Sequence, residues 1–409
     1  MGQNFDKHKL ANGMVLLGER MEAVESVAFG FMLPAGASLM PEGCCGASNV
    51  ISDWIFRGAG DKDNRQLGDA LDGLGLQRSG GCDTAHITIG AALESSNLSK
   101  ALDLYGDIIQ RPKLSDQQFT PARQLVINGV KALDDNPRQK VMLELRELFY
   151  PPPLGRSTVG EIDQLEKLTP EKTREIVADS INISDAIFSV AGKYDFNTVK
   201  KQIEKLFGSA KKHPAKSLKI GTRGGKYKHI LNEGAQVHIG LMTPTVMMGD
   251  KDYYNARLAV SVLSGGMSAR LFTEVREKRG LCYAVGAQYH ALKKAAGIAC
   301  YAGTSPEKAQ QTYDVIIGEF NRLAKGITKD EMQRAQTGLK SALIMQSESS
   351  SSRAGAIAGD YYMLGKVRLL DEIKSAIDKT TVDSVLGFLR KHPFKDFTVV
   401  TIGPKKLKV

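Results

Sequence analysis

The feature that most constrains this chain is that it repeats itself. Gly30-Phe31-Met32-Leu33-Pro34-Ala35 is echoed by Gly240-Leu241-Met242-Thr243-Pro244-Thr245. The run Ala101 to Ile109 returns as Gln311 to Ile317, and Lys113 to Phe119 returns as Gly326 to Met332. Phe188 to Gly192 matches Phe397 to Gly403. A spacing of roughly two hundred residues is far longer than a solenoid repeat, so it marks a duplicated domain. Each copy places strands first and helices between them. The expected class is α+β: two homologous domains, each a mostly antiparallel sheet covered by helices on one face.

The joint between the copies is expected at 211–228, where Lys, Gly, Ser and Pro dominate and apolar residues are few. That leaves an N-terminal domain over 1–210 and a C-terminal domain over 229–409. A length of 409 residues suits two domains. With 42% hydrophobic and 24% charged residues, the composition is that of a globular chain. The net charge of +10 is spread out apart from the joint and the tail Pro404 to Val409. No nucleic-acid motif accompanies it, so no nucleic-acid partner is expected. Cys44, Cys45, Cys82, Cys282 and Cys300 are odd in number and form no C-x-x-C, which fits a reducing, cytoplasmic setting. The first residues lack an apolar signal core, and no apolar run is long enough to cross a membrane, so no membrane partner is expected.

Along the first copy, Met14 to Leu17 and Ser26 to Leu33 are expected as strands. Cys45 to Gly58 is a largely apolar helix, and Asn64 to Leu74 is a second. Strands follow over Gln77 to Leu93. Ser96 is placed to cap a helix bearing Leu98, Ala101, Leu102, Tyr105, Ile108 and Ile109 on one face. Phe119 to Asp135 is a longer helix that Asn136-Pro137 should stop. Thr169-Pro170 opens another, and Ala186 to Ala191 returns as a strand. The histidines His8, His86, His213, His229, His238, His290 and His392 stand at no zinc-binding spacing and are expected as surface or satisfied residues.

In the second copy, the stretch Gly265 to Tyr283 carries the most information. Its start is small and glycine-rich, so it is a turn. Leu271, Phe272 and Val275 then fall at helical spacing, and Gly280 stops the helix after Lys278 and Arg279. A strand follows from Leu281 to Val285. Arg276 and Tyr283 lie on either side of this helix-to-strand turn and are expected to converge.

The pattern Gly-Gly-Met-Ser-x-Arg-Leu-Phe followed by Arg-Glu-Lys-Arg-Gly-Leu-x-Tyr resembles the C-terminal half of the pitrilysin-type metallopeptidases, which include the mitochondrial processing peptidase. The resemblance implies the duplicated metallopeptidase-like fold. It also implies that Arg276 and Tyr283 grip substrate at a zinc and stabilise its tetrahedral intermediate. The family's first half carries an inverted H-x-x-E-H zinc motif on a helix that ends in Phe-basic-Gly, like Phe56-Arg57-Gly58 here. Counted back from that tail, the motif positions are Asn49, Ser52 and Asp53. The distant third ligand, placed before an Asp-Asn-Pro stop, falls at Gly129. An amide, a hydroxyl, a lone carboxylate and a glycine make no zinc site.

The resemblance therefore implies a non-catalytic subunit of a heterodimeric zinc metallopeptidase. A homologous partner would bring the zinc and its ligands, and this chain would bring Arg276 and Tyr283. Unfolded peptides or small proteins would be hydrolysed after adding as a strand to a sheet edge of the partner, equivalent to the region near Asp83 to Ile89 here. Zinc-less relatives also serve as structural core subunits of respiratory complexes, and a homodimer that only binds peptides is a third reading. In all of them this chain binds no cofactor of its own. Metal analysis of the purified chain is expected to find no stoichiometric zinc, and about one chelatable zinc per chain would overturn the assignment of Asn49, Ser52, Asp53 and Gly129.

Overall fold

The computed structural model describes residues 3–212 and 217–409. The expected joint at 211–228 lies partly outside the described residues, as does His213. The chain forms two compact units, and they are not its contiguous halves. Unit 1 comprises residues 1–132, 156–219 and 346–367; unit 2 comprises 133–155, 220–345 and 368–409.

In chain order the first half holds β1 (Asn4–Lys9), β2 (Val15–Arg20), β3 (Ser26–Leu33), α1 (Ala47–Trp54), α2 (Asn64–Asp72), β4 (Gln77–Cys82) and β5 (Ile87–Glu94). It continues through α3 (Leu98–Gln110), α4 (Asp116–Lys131), α5 (Pro137–Phe149), α6 (Ile162–Lys167), α7 (Pro170–Ser180), β6 (Ile187–Gly192) and α8 (Phe196–Phe207). The second half holds β7 (Tyr227–Leu231), β8 (Val237–Pro244), α9 (Tyr253–Ser264), β9 (Cys282–Leu292), β10 (Ala295–Thr304), α10 (Ala309–Leu323), α11 (Lys329–Ser347), α12 (Ser350–Leu364), α13 (Leu370–Lys379), α14 (Val382–Lys391) and β11 (Thr398–Gly403).

The duplication is exact at the level of topology. Unit 1 has a six-stranded sheet in the order β1-β2-β6-β3-β5-β4, and unit 2 a five-stranded sheet in the order β7-β11-β8-β10-β9. Without the extra β1, strand for strand, the two orders coincide. In each sheet the first of these strands runs parallel to its neighbour (β2 with β6, β7 with β11), and the other pairs are antiparallel. The echoed segments occupy equivalent places: Gly30 to Leu33 lies in β3 and Gly240 to Pro244 in β8, while Phe188 to Gly192 lies in β6 and Thr398 to Gly403 in β11.

The main helical layer lies on one face of each sheet, as the alternating strands require. In unit 1, Val27, Phe29, Phe31 and Leu33 of β3 join Phe188 and Val190 of β6 beneath α1, α3 and α8. In unit 2, Val237, Ile239 and Leu241 of β8 join Ile298, Cys300 and Ala302 of β10 beneath α9 and α10. The opposite faces are also apolar, and each is covered by one helix from the other half of the sequence. Val15, Leu17 and Ile187 of unit 1 pack on Ile357 and Ala358 of α12. In unit 2, α5 packs on β8 and β11 with Val141, Leu145 and Phe149 buried. Gly240 permits that approach, since an added Cβ would lie 3.3 Å from Leu145 and 3.4 Å from Val141.

Both crossing helices were hidden in the sequence. Asn136-Pro137, expected to stop a helix, instead starts α5: the Asn136 side chain accepts from the Gln139 N–H at 3.1 Å, and Pro137 sits where its missing N–H costs nothing. The serine run before α12 serves as its cap, with Ser349 Oγ accepting from the Ser352 N–H, and Gly365 at φ +72° ends the helix. Ser96 does not cap α3. Its hydroxyl donates to Glu94 at 3.0 Å, and Asn97 holds the cap position without a side-chain capping bond.

The anchor of α12 is a buried ion pair. Arg353 donates from Nε to Glu19 of β2 at 2.7 Å, and both side chains are only 6% exposed. Gln3 Nε2 donates to the other Glu19 oxygen at 2.7 Å. Removing one partner strands a buried charge, which costs about 3–5 kcal/mol, whereas replacing both by apolar groups is near neutral. Arg353→Ala is therefore expected to destabilise unit 1 by about that amount in denaturant titration, and the Glu19→Met/Arg353→Met pair to recover most of it. A single-variant loss below about 1 kcal/mol would refute the anchor.

The crossing also bears on the joint. Its latter part is held to unit 2, with the Gly221 N–H donating to Pro152 O at 2.8 Å and Arg223 pairing with Asp396 at 2.7 Å. Limited proteolysis should cut first within 211–219. The two fragments should then stay together on native gel filtration, because each carries a helix that completes the other's sheet. Separation without denaturant would refute this.

Candidate functional site

In unit 1 the motif positions lie on two helices that pack together, α1 and α4. Trp54 fixes α1, fully buried with its ring edge-on to Phe119 of α4 at 4.9 Å. Gly46, at φ +99°, lets the helix start beside Gly160 and Leu165, where a Cβ would come within 2.9 Å and 2.8 Å. Asn49, Ser52 and Asp53 are half-buried on this helix.

Each polar group there is already engaged. Asn49 Nδ2 donates to Thr158 O at 2.6 Å, and Ser52 Oγ donates to Asn49 O at 2.9 Å. The Asp53 carboxylate is paired with Arg57 one turn on. Gly129 is exposed on α4, and an added Cβ there would meet nothing within 4 Å. These groups do not fit zinc, because an amide, a hydroxyl bonded to its own helix, a carboxylate paired with a guanidinium and a glycine supply no imidazole and no converging set of ligands. Among the described residues, no three His, Cys, Asp or Glu side chains gather to hold a metal.

The exposed sheet edge differs from expectation. β5 lies between β3 and β4, so Ile87 to Ile89 is interior. Residues 83–85 are covered too, as the N–H groups of Gly36, Ala37 and Ser38 donate to Ala85, Asp83 and Thr84. On this side the edge of the sheet is β4, Gln77–Cys82, whose residues are almost all exposed; β1 is the opposite edge. The alternation in 77–93 showed two strands, but not which of them had a neighbour. His86 is buried rather than on the surface, its ring edge-on to Tyr362 at 4.3 Å.

In unit 2 Arg276 and Tyr283 do converge. The segment Phe272–Glu277 is helical but wider than an α-helix, with the Lys278 N–H reaching back five residues to Thr273 O at 2.9 Å. Gly280 at φ +55° breaks it, the Leu281 N–H donates to Val275 O, and β9 begins at Cys282. The Arg276 guanidinium lies between two rings, 4.8 Å from Phe272 and 5.2 Å from Tyr283. Tyr283 is 81% exposed. Among the described residues Arg276 forms no ion pair, so its charge is available to a ligand.

The other charges of the stretch are spent on structure. Arg270 is buried, donating from Nε and Nη2 to Glu331 at 2.6 and 2.9 Å and from Nη2 to Gly326 O at 2.7 Å. Those bonds hold the Glu331 carboxyl down at a pKa of about 2. Glu274 accepts from Lys278 at 2.8 Å and Arg279 at 2.7 Å, which lowers its carboxyl to about 2 as well. Burial pushes the Cys282 thiol up to about 11, so it is no nucleophile. Sequence periodicity marked Phe272 as a core residue. Its contact with Arg276, four residues on, is the ordinary neighbour spacing of a helix.

Comparison with known proteins agrees with this architecture. A family model described as insulinase (peptidase family M16) matches residues 15–161, and one described as peptidase M16 inactive domain matches 167–339. The chain is 26% identical over 410 residues to an uncharacterized zinc protease of Rickettsia felis, covering 100% of both chains. It is 24% identical to an uncharacterized zinc protease of Bacillus subtilis, covering 97% of this chain and 98% of the relative. The crystal structure of a peptidase M16 inactive domain from Pseudomonas fluorescens superposes with a TM-score of 0.90 at 20% identity, covering 99% of this chain and 100% of that one. A chain of Complex III2 from Candida albicans superposes with a TM-score of 0.87 at 17% identity, covering 98% and 96%. The chain belongs to peptidase family M16.

Proposed function

We propose that this chain is the zinc-less subunit of a heterodimeric metallopeptidase, lending Arg276 and Tyr283 to a homologous partner that holds the zinc, its ligands and the general base. The observation that carries this reading is the contrast between the two units. The polar groups of unit 1's motif are tied up internally, whereas unit 2 displays a guanidinium without a carboxylate partner beside a phenol that is 81% exposed. Neither group supports the fold of unit 2 in a way that explains its placement. Both are hydrogen-bond donors suited to an oxyanion that forms as water adds to a peptide carbonyl. The substrates would be unfolded peptides or small proteins, added as a strand to the partner's counterpart of β4. The five free cysteines suit a reducing, cytoplasmic setting, and among the described residues no helix is long and apolar enough to cross a membrane.

A second reading is supported by the fold likeness to a chain of Complex III2. There this chain would be a structural subunit, and Arg276 and Tyr283 would have no chemical task. The exposed Tyr283 weighs against it, because a purely structural role gives an open phenol nothing to do.

Substitution separates the readings. Tyr283→Phe should lower turnover of the intact heterodimer by roughly a hundredfold, the scale of a lost oxyanion donor, with unfolding and assembly unchanged. Arg276→Ala should do similar harm and also raise KM, since a guanidinium can hold a carbonyl through more than one bond. Turnover per intact complex that is the same in both variants as in wild type would refute the catalytic role.

A further inference from the structure

Arg276 sits in a run of charges, Glu274-Val275-Arg276-Glu277-Lys278-Arg279, yet it alone among the cations of this run keeps no carboxylate. Glu274 holds the other two cations of the run. Its side chain is only 14% exposed and gathers Lys278 at 2.8 Å, Arg279 at 2.7 Å and Arg322 of α10 at 3.6 Å. Arg279 also donates to the Glu274 carbonyl at 2.7 Å, and Arg322 is shared with Glu319 at 2.6 Å. Glu277 is adjacent to Arg276, and neighbouring helical residues do not face each other.

The same carboxylate ties the two ends of the widened turn together. Such turns are rare and need support from outside their own ladder. Here Glu274 lies near the start, Lys278 and Arg279 lie just past the end, and Arg322 fixes the whole to α10. If the turn relaxed by one residue to ordinary α-helical pairing, the residues after it would rotate by about 100°. Tyr283, which follows the turn, would then move away from the Arg276 guanidinium.

We propose that Glu274 is a positioning residue: by drawing Lys278, Arg279 and Arg322 onto its carboxylate, it holds the turn Phe272–Glu277 wide and keeps the Arg276 guanidinium unpaired between Phe272 and Tyr283. The effect on turnover rests on the peptidase reading; the effect on Arg276 geometry does not.

Two measurements test it and fail independently. The first is side-chain NMR of the full chain labelled with 15N-arginine, in which the two rings shift the Arg276 side-chain protons upfield, assigned by Arg276→Lys. Glu274→Gln should abolish that shift. Because Glu274→Gln could also unfold the turn, the exposed pair Lys278→Met/Arg279→Met provides a second variant. It removes two of the cations that brace the turn and should abolish the shift in a chain whose circular dichroism stays that of the folded protein. A wild-type shift in both variants overturns the proposal. The second measurement uses the heterodimer. Glu274→Gln should lower kcat by about tenfold to a hundredfold and raise KM in the same direction as Arg276→Ala, the pattern of a misplaced Arg276. In an Arg276→Ala background it should have no further effect, and an additive loss would overturn the positioning role. If Arg276→Ala itself leaves turnover unchanged, the peptidase reading fails while the NMR result still decides the role of Glu274.

Discussion

The structure depends on what covers the second face of each sheet. A sheet whose strands carry apolar residues on both sides must be buried on both sides, and in this chain neither half supplies that cover for itself. Val15, Leu17 and Ile187 meet Ile357 and Ala358 of α12, and the glycine surface around Gly240 meets Val141 and Leu145 of α5. The Arg353–Glu19 pair sets the register of α12 on β2. Its net contribution to stability is small compared with its cost when broken, so its value is specificity: only one placement of α12 satisfies both buried charges. Duplication thus produced two units that could not simply be separated again at the joint.

This arrangement leaves each unit's main helical layer free to diverge. In unit 1, α1 keeps its packing through Trp54 while its outward polar positions have turned inward to local bonds: Asn49 to Thr158, Ser52 to its own helix and Asp53 to Arg57. The helix needs only its apolar face to remain in place, so its outward positions can vary without cost to the fold. In unit 2 the corresponding restraint runs the other way. Arg270 with Glu331 and Glu274 with its three cations hold a backbone that no α-helix would adopt, and the two groups left over, Arg276 and Tyr283, face out. A widened turn braced by ion pairs beside an exposed donor pair is the pattern expected where structure serves chemistry.

The sequence alone settled those matters that depend on residues near one another in the chain or on self-similarity. The echo of Gly30 to Ala35 in Gly240 to Thr245 was enough to show two like units, since homologous segments take homologous places in a sheet. The Gly280 break placed Arg276 near Tyr283, because a helix stop followed by a strand leaves little room for anything else. The absence of imidazoles at 49 and 53 is equally local. Tertiary structure alone decided the rest. Asn136-Pro137 has the same chemistry whether it stops one helix or starts the next, and only the waiting face of the second sheet makes α5 a helix of unit 2. The strand 87–94 and the strand 77–82 alternate alike, and only the pairing of β5 with β3 makes β4 the edge. The charges from Glu274 to Arg279 carry no order of partners in themselves. Arg322 on α10, far along the chain, lies 3.6 Å from Glu274, a contact that no local pattern reveals.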